Sequence, residues 1–287
     1  MSVIAPQPKA PTRMDEPYAW PGIVERWDGD GAAAAGDAAA LSAVGVVLVC
    51  EHASNRLSGP WADLGLDART MQAHISWDPG ALGVARGLSA RLSRPCAGAL
   101  LVHAPLSRLI YDLNRAPDLP GAMPERSEIH DIPGNERLSA ATRVARTRAL
   151  YAPFHATLMS ELATQLALGS RPTIITVHSF TPIYAGIRRE VEFGVIHDAD
   201  AALARAIVEA SRGSGLVTRL NEPYSAADHV THTLRLHATP YGLPNAMLEI
   251  RNDLIADAAA QAAMAERLAP ILVEAVRKTE AVPCPAS

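Results

Sequence analysis

The chain of 287 residues has only three cysteines, Cys50, Cys96 and Cys284. An odd number without pair spacing argues against a disulfide framework and fits a reducing compartment, so a cytoplasmic location is expected. Lysine is nearly absent. Lys9 and Lys278 are the only two among 26 basic residues, which face 30 acidic ones. No basic run with interleaved aromatics occurs, so nucleic acid is not expected as a partner. No stretch of ~18 apolar residues is present, which leaves no membrane span. The first residues lack the basic and apolar regions of a signal peptide. There is no HExxH, no GxSxG elbow and no Gly-rich phosphate loop. Ser54 and Ser179 follow histidines without an assigned base, so a serine hydrolase is a weak option.

What remains is a chain of 48% hydrophobic and 20% charged residues, a globular composition. Residues 1–42 carry early prolines and a Gly/Ala/Asp-rich stretch, and read as a flexible N-terminal extension. Within them Trp20, Ile23, Val24 and Trp27 are expected as a short docking helix. One domain is expected over 43–280, followed by a loose tail at 281–287.

The stretch 46–56 organises that domain. Val46-Val47-Leu48-Val49-Cys50 runs without alternation into Glu51-His52 and a polar turn. Such a run reads as a strand buried on both faces. Residues 99–103, 173–177, 191–196 and 246–251 repeat the pattern, and 109–113 and 216–220 read as shorter strands. Helical spacing is expected over 81–92, 139–168 with a break at Pro153, 201–211 and 255–276; 231–236 forms another short piece. Strands alternating with helices predict an α/β fold: one three-layer domain, mostly parallel, with helices on both faces. Residues 117–135 hold four prolines and form a long loop, a candidate lid.

His52 and His178 each end a buried strand, where open α/β sheets bind ligands. Neutral imidazole is a common zinc ligand, and a catalytic zinc keeps three protein ligands with one open position. Asp78, Glu51 and, less strongly, Asn55 are candidates for the third. Asp78 precedes Pro79, so a helix N-cap with proline at the first helical position is its alternative. Glu249 lies inside an apolar strand, where a carboxylate costs free energy unless paired. It pairs with an arginine such as Arg251, or serves as general base on metal-bound water. Arg108, Asn114 and Arg115 cluster around Asp112. They suit a substrate carboxylate or an oxyanion, while an Arg108–Asp112 pair across a turn is the plainer alternative. His155 alone reads as a packed residue. His197, His229, His232 and His237 show no partner spacing, although His229 and His232 could reach the mouth.

Cys50-Glu51-His52-Ala53-Ser54-Asn55, Ser107-Arg108 with Asp112-Leu113-Asn114-Arg115, Tyr151-Ala152-Pro153-Phe154-His155, Val177-His178-Ser179-Phe180-Thr181-Pro182 and Glu249-Ile250-Arg251-Asn252-Asp253 occur in that order. Together they resemble the N-formylglutamate amidohydrolase family, which is similar in fold and site plan to zinc carboxypeptidases and aspartoacylases. The resemblance spans about 46–272. It implies a mixed central sheet of about eight strands, and zinc, or another divalent metal, on His52, His178 and Asp78. It also implies Glu249 as general base, and Asn114, Arg115, Arg108 and His155 around an acidic small-molecule substrate, in an enzyme of the histidine-breakdown type. The carboxypeptidase pattern has Glu three residues after its first His, where Asn55 stands here. That departure motivates a second reading, a non-catalytic protein that binds an acidic ligand on the same fold.

Overall fold

The computed structural model describes residues 19–28 and 42–280. The flexible link expected over 29–40 and the tail at 281–287 lie outside the described residues. Seven strands form the central sheet: β1 (Ile23–Trp27), β2 (Val46–Cys50), β3 (Ala99–His103), β4 (Thr173–Phe180), β5 (Phe193–Ile196), β6 (Thr218–Leu220) and β7 (Asn245–Arg251). Their order is β1-β3-β2-β4-β7-β5-β6. β3, β2, β4 and β7 run parallel, and β5 joins β7 antiparallel with β6 parallel to it. This is the mixed, mostly parallel three-layer α/β fold that the alternation of elements predicts, with seven strands against about eight expected.

Two of the expected elements differ. Ile23–Trp27 is an edge strand antiparallel to β3, and not a docking helix. Glu25 and Arg26 in its middle satisfy their charges on partners far along the chain, Arg86 with His103 and Glu161 respectively. Residues 109–113 form turns and irregular backbone outside the sheet. Their apolar side chains are buried against the helix layer instead.

The pleat divides the core into two. Val46, Leu48, Ile175, Val177 and Leu248 face α2 (Ala81–Ser93), α5 (Ala202–Ala210) and α7 (Ala258–Glu280). Val47, Val49, Leu100, Ile174 and Met247 face α4 (Ala152–Ala167) and α6 (His232–His237). Both faces of the central strands are therefore dry, and each such side chain contributes roughly 1.5–3 kcal/mol by leaving water. Two further helices, α1 (Ala68–Gln72) and α3 (Ala140–Arg146), cover the loops, and a π turn over Thr147–Tyr151 joins α3 to α4. The wide turn admits Pro153, which lacks an N–H, so the helix continues where a break is expected.

Residues 117–135 are not structureless. They carry 3-10 turns and a small hairpin of Arg126–Ser127 with His130–Asp131. Ala122, Met123, Ile132 and Asn135 are buried beneath them. Asn135 donates to Leu109 O and Pro124 O at 2.8 Å each and accepts from Arg146 at 2.6 Å, which anchors the segment as a wall.

Candidate active site

Parallel β2, β4 and β7 deliver His52, His178 and Glu249 to one edge of the sheet. The register puts Glu249 directly beside His178 on one side and Gly194 on the other. A Cβ at Gly194 would stand 2.1 Å from Glu222 O and 3.2 Å from Glu249 Cβ, so only glycine leaves room for the carboxylate's strand. Asp78 arrives from the turn before α2. Gly80, in the left-handed region at φ 81°, takes the N-cap position, so Asp78 does not cap this helix. Its backbone N–H donates to His52 O at 2.9 Å, and its carboxylate turns inward.

His52 Nδ1, His178 Nδ1 and Asp78 Oδ2 form a triangle. The two nitrogens are 3.2 Å apart, and the oxygen lies 3.2 Å from His52 and 2.9 Å from His178. Zinc–nitrogen bonds of ~2.05 Å at tetrahedral angles require donor separations of about 3.3 Å. The outer ring nitrogens meet carboxylates. His52 Nε2 lies 2.7 Å from Asp112 Oδ1, which sets the tautomer that exposes Nδ1. His178 Nε2 lies 3.2 Å from Glu51 Oε2, within ion-pair reach though off the hydrogen-bond line. Such carboxylate–histidine pairs orient metal-binding imidazoles. Glu51 therefore stands behind His178, not beside Asp78. Asn55 points elsewhere, donating to Gln72 Oε1 at 3.0 Å and Met71 O at 3.3 Å.

The charge balance fits a divalent cation. Burial opposes ionisation of Glu51, Asp78 and Asp112, yet the histidines beside them, with Arg108 beside Asp78 and Asp112, hold all three below the usual carboxylate range. Three carboxylates against Arg108, with Arg115 3.9 Å from Asp112, leave a net negative charge in the cluster. Burial disfavours protonation of His178 and His52, and Arg108 adds to this at His52, but the carboxylates outweigh both and raise each histidine. Two imidazolium ions with Nδ1 atoms 3.2 Å apart would repel. One doubly charged ion between them meets the same deficit without that repulsion. His52, Asp78 and His178 are thus the group that could hold a metal ion among the described residues.

Glu249 is buried, and its Oε2 has no hydrogen-bond partner among the described residues. Burial, assisted by Asp78, lifts its pKa to about 7 against the pull of the histidines and Arg108. It lines a cavity of about 520 Å³ together with His52, Asp78, Arg115, His178 and Tyr224. Arg251 makes no pair with Glu249; it binds Glu192 and Asp253.

The other expected site residues divide. Arg108 lies at the cavity but donates to Asp112 Oδ2 at 2.5 Å and Asp78 Oδ1 at 3.3 Å, so the ion pair foreseen for it does form. Arg115 is 3.9 Å from Asp112 through Nε and donates through Nη1 to Asp228 O, and no hydrogen bond from Nη2 occurs among the described residues. Asn114 lines the cavity, yet its amide donates to Val230 O and accepts from Thr233 N at 3.0 Å. One amide N–H and the amide oxygen tie its loop to α6, and the second N–H has no hydrogen-bond partner among the described residues. His155 lies behind the wall, outside the cavity lining. Its Nε2 donates to Leu113 O at 3.0 Å and its Nδ1 accepts from His237 Nε2 at 2.9 Å. His229 reaches the cavity, whereas His232 turns to the Tyr151 hydroxyl at 2.9 Å and His197 to Asn221 at 3.0 Å. Ser179 donates to Pro79 O at 2.8 Å and Ser54 accepts from Arg56 N, so neither has a base to activate it.

The model of the N-formylglutamate amidohydrolase family matches residues 44–256. The structure is similar to the crystal structure of a gene product from Agrobacterium tumefaciens. The two share 49% identity over 84% of this chain and 94% of that one, with a TM-score of 0.80. It is also similar in fold to the crystal structure of the N-formylglutamate amidohydrolase from Ralstonia eutropha JMP134, at 16% identity over 83% and 95% of the two chains, with a TM-score of 0.56. No curated protein matches the chain. The chain belongs to the N-formylglutamate amidohydrolase family, hydrolases that act on amide bonds.

Proposed function

We propose that this chain is a zinc-dependent amidohydrolase that removes the acyl group from an N-acyl acidic amino acid such as N-formylglutamate. The observation that carries the reading is the triangle of His52 Nδ1, His178 Nδ1 and Asp78 Oδ2, with sides of 2.9–3.2 Å, beside the unpartnered Glu249 Oε2. His52, Asp78 and His178 hold the ion. When bound, it supplies Lewis acidity toward the scissile carbonyl and makes water more acidic.

The chain's own groups do the rest. Glu249 accepts a proton from the attacking water as the C–O bond forms. It returns that proton to the amino nitrogen as the C–N bond breaks, leaving the free acid and the amine. A base with pKa near 7 suits both transfers. Arg115 holds a substrate carboxylate with its uncommitted Nη2. Arg108, already neutralised, steadies Asp78 and Asp112. Asn114 and His155 position the 112–115 loop, and Asn114, which lines the cavity, keeps one amide N–H for the substrate. A cavity of about 520 Å³ suits a small-molecule substrate, and the small number of cysteines keeps a cytoplasmic location as our reading.

The test is zinc content by elemental analysis together with formate release from N-formylglutamate before and after chelation. Bound zinc near one per chain and chelator-sensitive release are expected. Full release by metal-stripped protein refutes the mechanism. The non-catalytic reading rested on the missing glutamate at Asn55, and Asp78 fills that position in the donor set, so no observation favours it further.

A further inference from the structure

Arg189 is a third guanidinium near the cavity: it does not itself line it but packs against residues that do, and no described carboxylate pairs with it. Its guanidinium carbon lies 5.5, 4.6 and 5.0 Å from the ring centroids of Phe180, Tyr184 and Tyr224. Nη1 donates to Thr181 O at 3.3 Å and to Tyr224 Oη at 3.1 Å. Phe180, Thr181, Tyr184 and Tyr224 line the cavity that Glu249 and His178 also line. The backbone is pinned as well. Arg189 N donates to Pro182 O at 2.8 Å, closing the small hairpin of Ile183–Tyr184 with Ile187–Arg188, and Arg251 Nη1 donates to Arg189 O at 3.3 Å.

Arg108 and Arg251 each meet two carboxylates. Arg189 forms no ion pair among the described residues. Taking a guanidinium partly out of water without a counter-charge is unfavourable, and stacking on aromatic faces offsets only part of that cost. Three rings and two acceptors have meanwhile removed most of its rotamer freedom, so an anion that docks there meets a group already in place. Tyr224 adds a donor. Its oxygen accepts from Arg189, its own proton goes to no described group, and burial keeps the phenol protonated, with its pKa pushed up to about 12.

We propose that Arg189 and the Tyr224 hydroxyl form a subsite for the side-chain carboxylate of the substrate. One guanidinium, Arg115, then serves one carboxylate, and Arg189 serves the other. The proposal rests on the amidohydrolase reading and deepens it. It states why a dicarboxylic N-acyl amino acid is preferred over its uncharged counterpart.

The test compares N-formylglutamate with N-formylglutamine, nearly the same in shape but without the second charge, in wild type, Arg189→Gln, Arg189→Lys and Tyr224→Phe. A charged hydrogen-bonded contact corresponds to about 10- to 100-fold. Wild type is expected to favour N-formylglutamate by that ratio in kcat/KM, through KM. In Arg189→Gln the ratio falls to within about threefold of one, with Arg189→Lys and Tyr224→Phe between. Wild type without the preference, or an Arg189→Gln loss equal on both substrates, overturns the subsite. If wild type hydrolyses neither, the reaction assignment fails, and calorimetry with glutarate and butyrate decides the subsite separately. Tighter glutarate binding that Arg189→Gln abolishes supports it, and equal binding of the two acids overturns it.

Discussion

Asp112→Asn tests the metal reading without depending on turnover. Asp112 Oδ1 lies 2.7 Å from His52 Nε2 and accepts from Asn114 N at 3.0 Å, while Oδ2 accepts from Arg108 at 2.5 Å and lies 3.9 Å from Arg115 Nε. Every neighbour is a donor. Asparagine brings one acceptor oxygen and an NH₂ group. If its oxygen stays on His52, its NH₂ faces the Arg108 guanidinium; if it turns round, the NH₂ faces His52 Nε2–H and disturbs the tautomer that presents Nδ1. Loss of a carboxylate behind a metal-binding histidine costs about 10- to 100-fold in affinity, or about 1.4–2.7 kcal/mol. The metal-free protein should also lose about 1–3 kcal/mol. This is less than for a lone buried pair, because Asp78 still meets Arg108, whose side chain keeps 26% of its exposure. Competition with a chromophoric chelator measures the first quantity and urea unfolding of the stripped protein the second. Asp112→Asn protein that binds zinc as tightly as wild type would refute the assignment of His52 Nδ1 as a ligand. Glu51→Gln should show a smaller loss, since Glu51 meets His178 Nε2 off the hydrogen-bond line.

Three further outcomes are expected. Glu249→Gln should lower kcat by about 10²- to 10⁴-fold while zinc content holds; the wild-type acid limb should lie near the pKa of about 7, because the bound ion takes the place of the imidazolium charges that already act on the carboxylate. A limb in the ordinary carboxylate range, near ~4, contradicts the base assignment. The protein should lose stability in mild acid through His155 and His237. Burial first, then neighbouring histidines, depress them to about 3 and about 4, so below ~6.5 the unfolded chain binds protons that the folded one refuses. Urea midpoints should drop between pH 6 and 5, by up to ~1.4 kcal/mol per histidine per pH unit, and His155→Asn should flatten that slope; an unchanged slope counts against it. Gly194→Ala drives a Cβ toward Glu222 O at 2.1 Å and should cost about 1–3 kcal/mol by urea unfolding; wild-type stability would show that the turn after β6 has slack against β5.

The central strands were legible because both of their faces are dry, and such a strand needs no alternation to be noticed. Ile23–Trp27 was not, because an edge strand is half-exposed and its two charges find partners only after folding. Residues 109–113 misled for the opposite reason. Leu109, Ile110, Tyr111 and Leu113 are as buried as any strand residue, yet they pack under the helix layer without a ladder. Hydrophobicity reports burial, and burial alone does not say which backbone produces it.

The site divides along the same line. A histidine at a strand end is a local pattern, so His52 and His178 could be read directly, and the Arg108–Asp112 pair lies within one helical turn of sequence. The second task of Asp112, holding His52 from 60 positions away, has no local signature. Neither has the cage of Arg189, which is completed only when Tyr224 joins Phe180 and Tyr184 from 35 positions away. Asp78 shows how such a distant task is arranged. Asp-Pro-Gly invites a capped helix start, which would point the aspartate along the helix axis. Gly80 takes the left-handed position instead and begins the helix two residues later. That shift frees the carboxylate to reach both imidazoles. It also supplies the acidic donor that Asn55 cannot, so the donor set is completed by a backbone turn and not by a residue at the expected spacing.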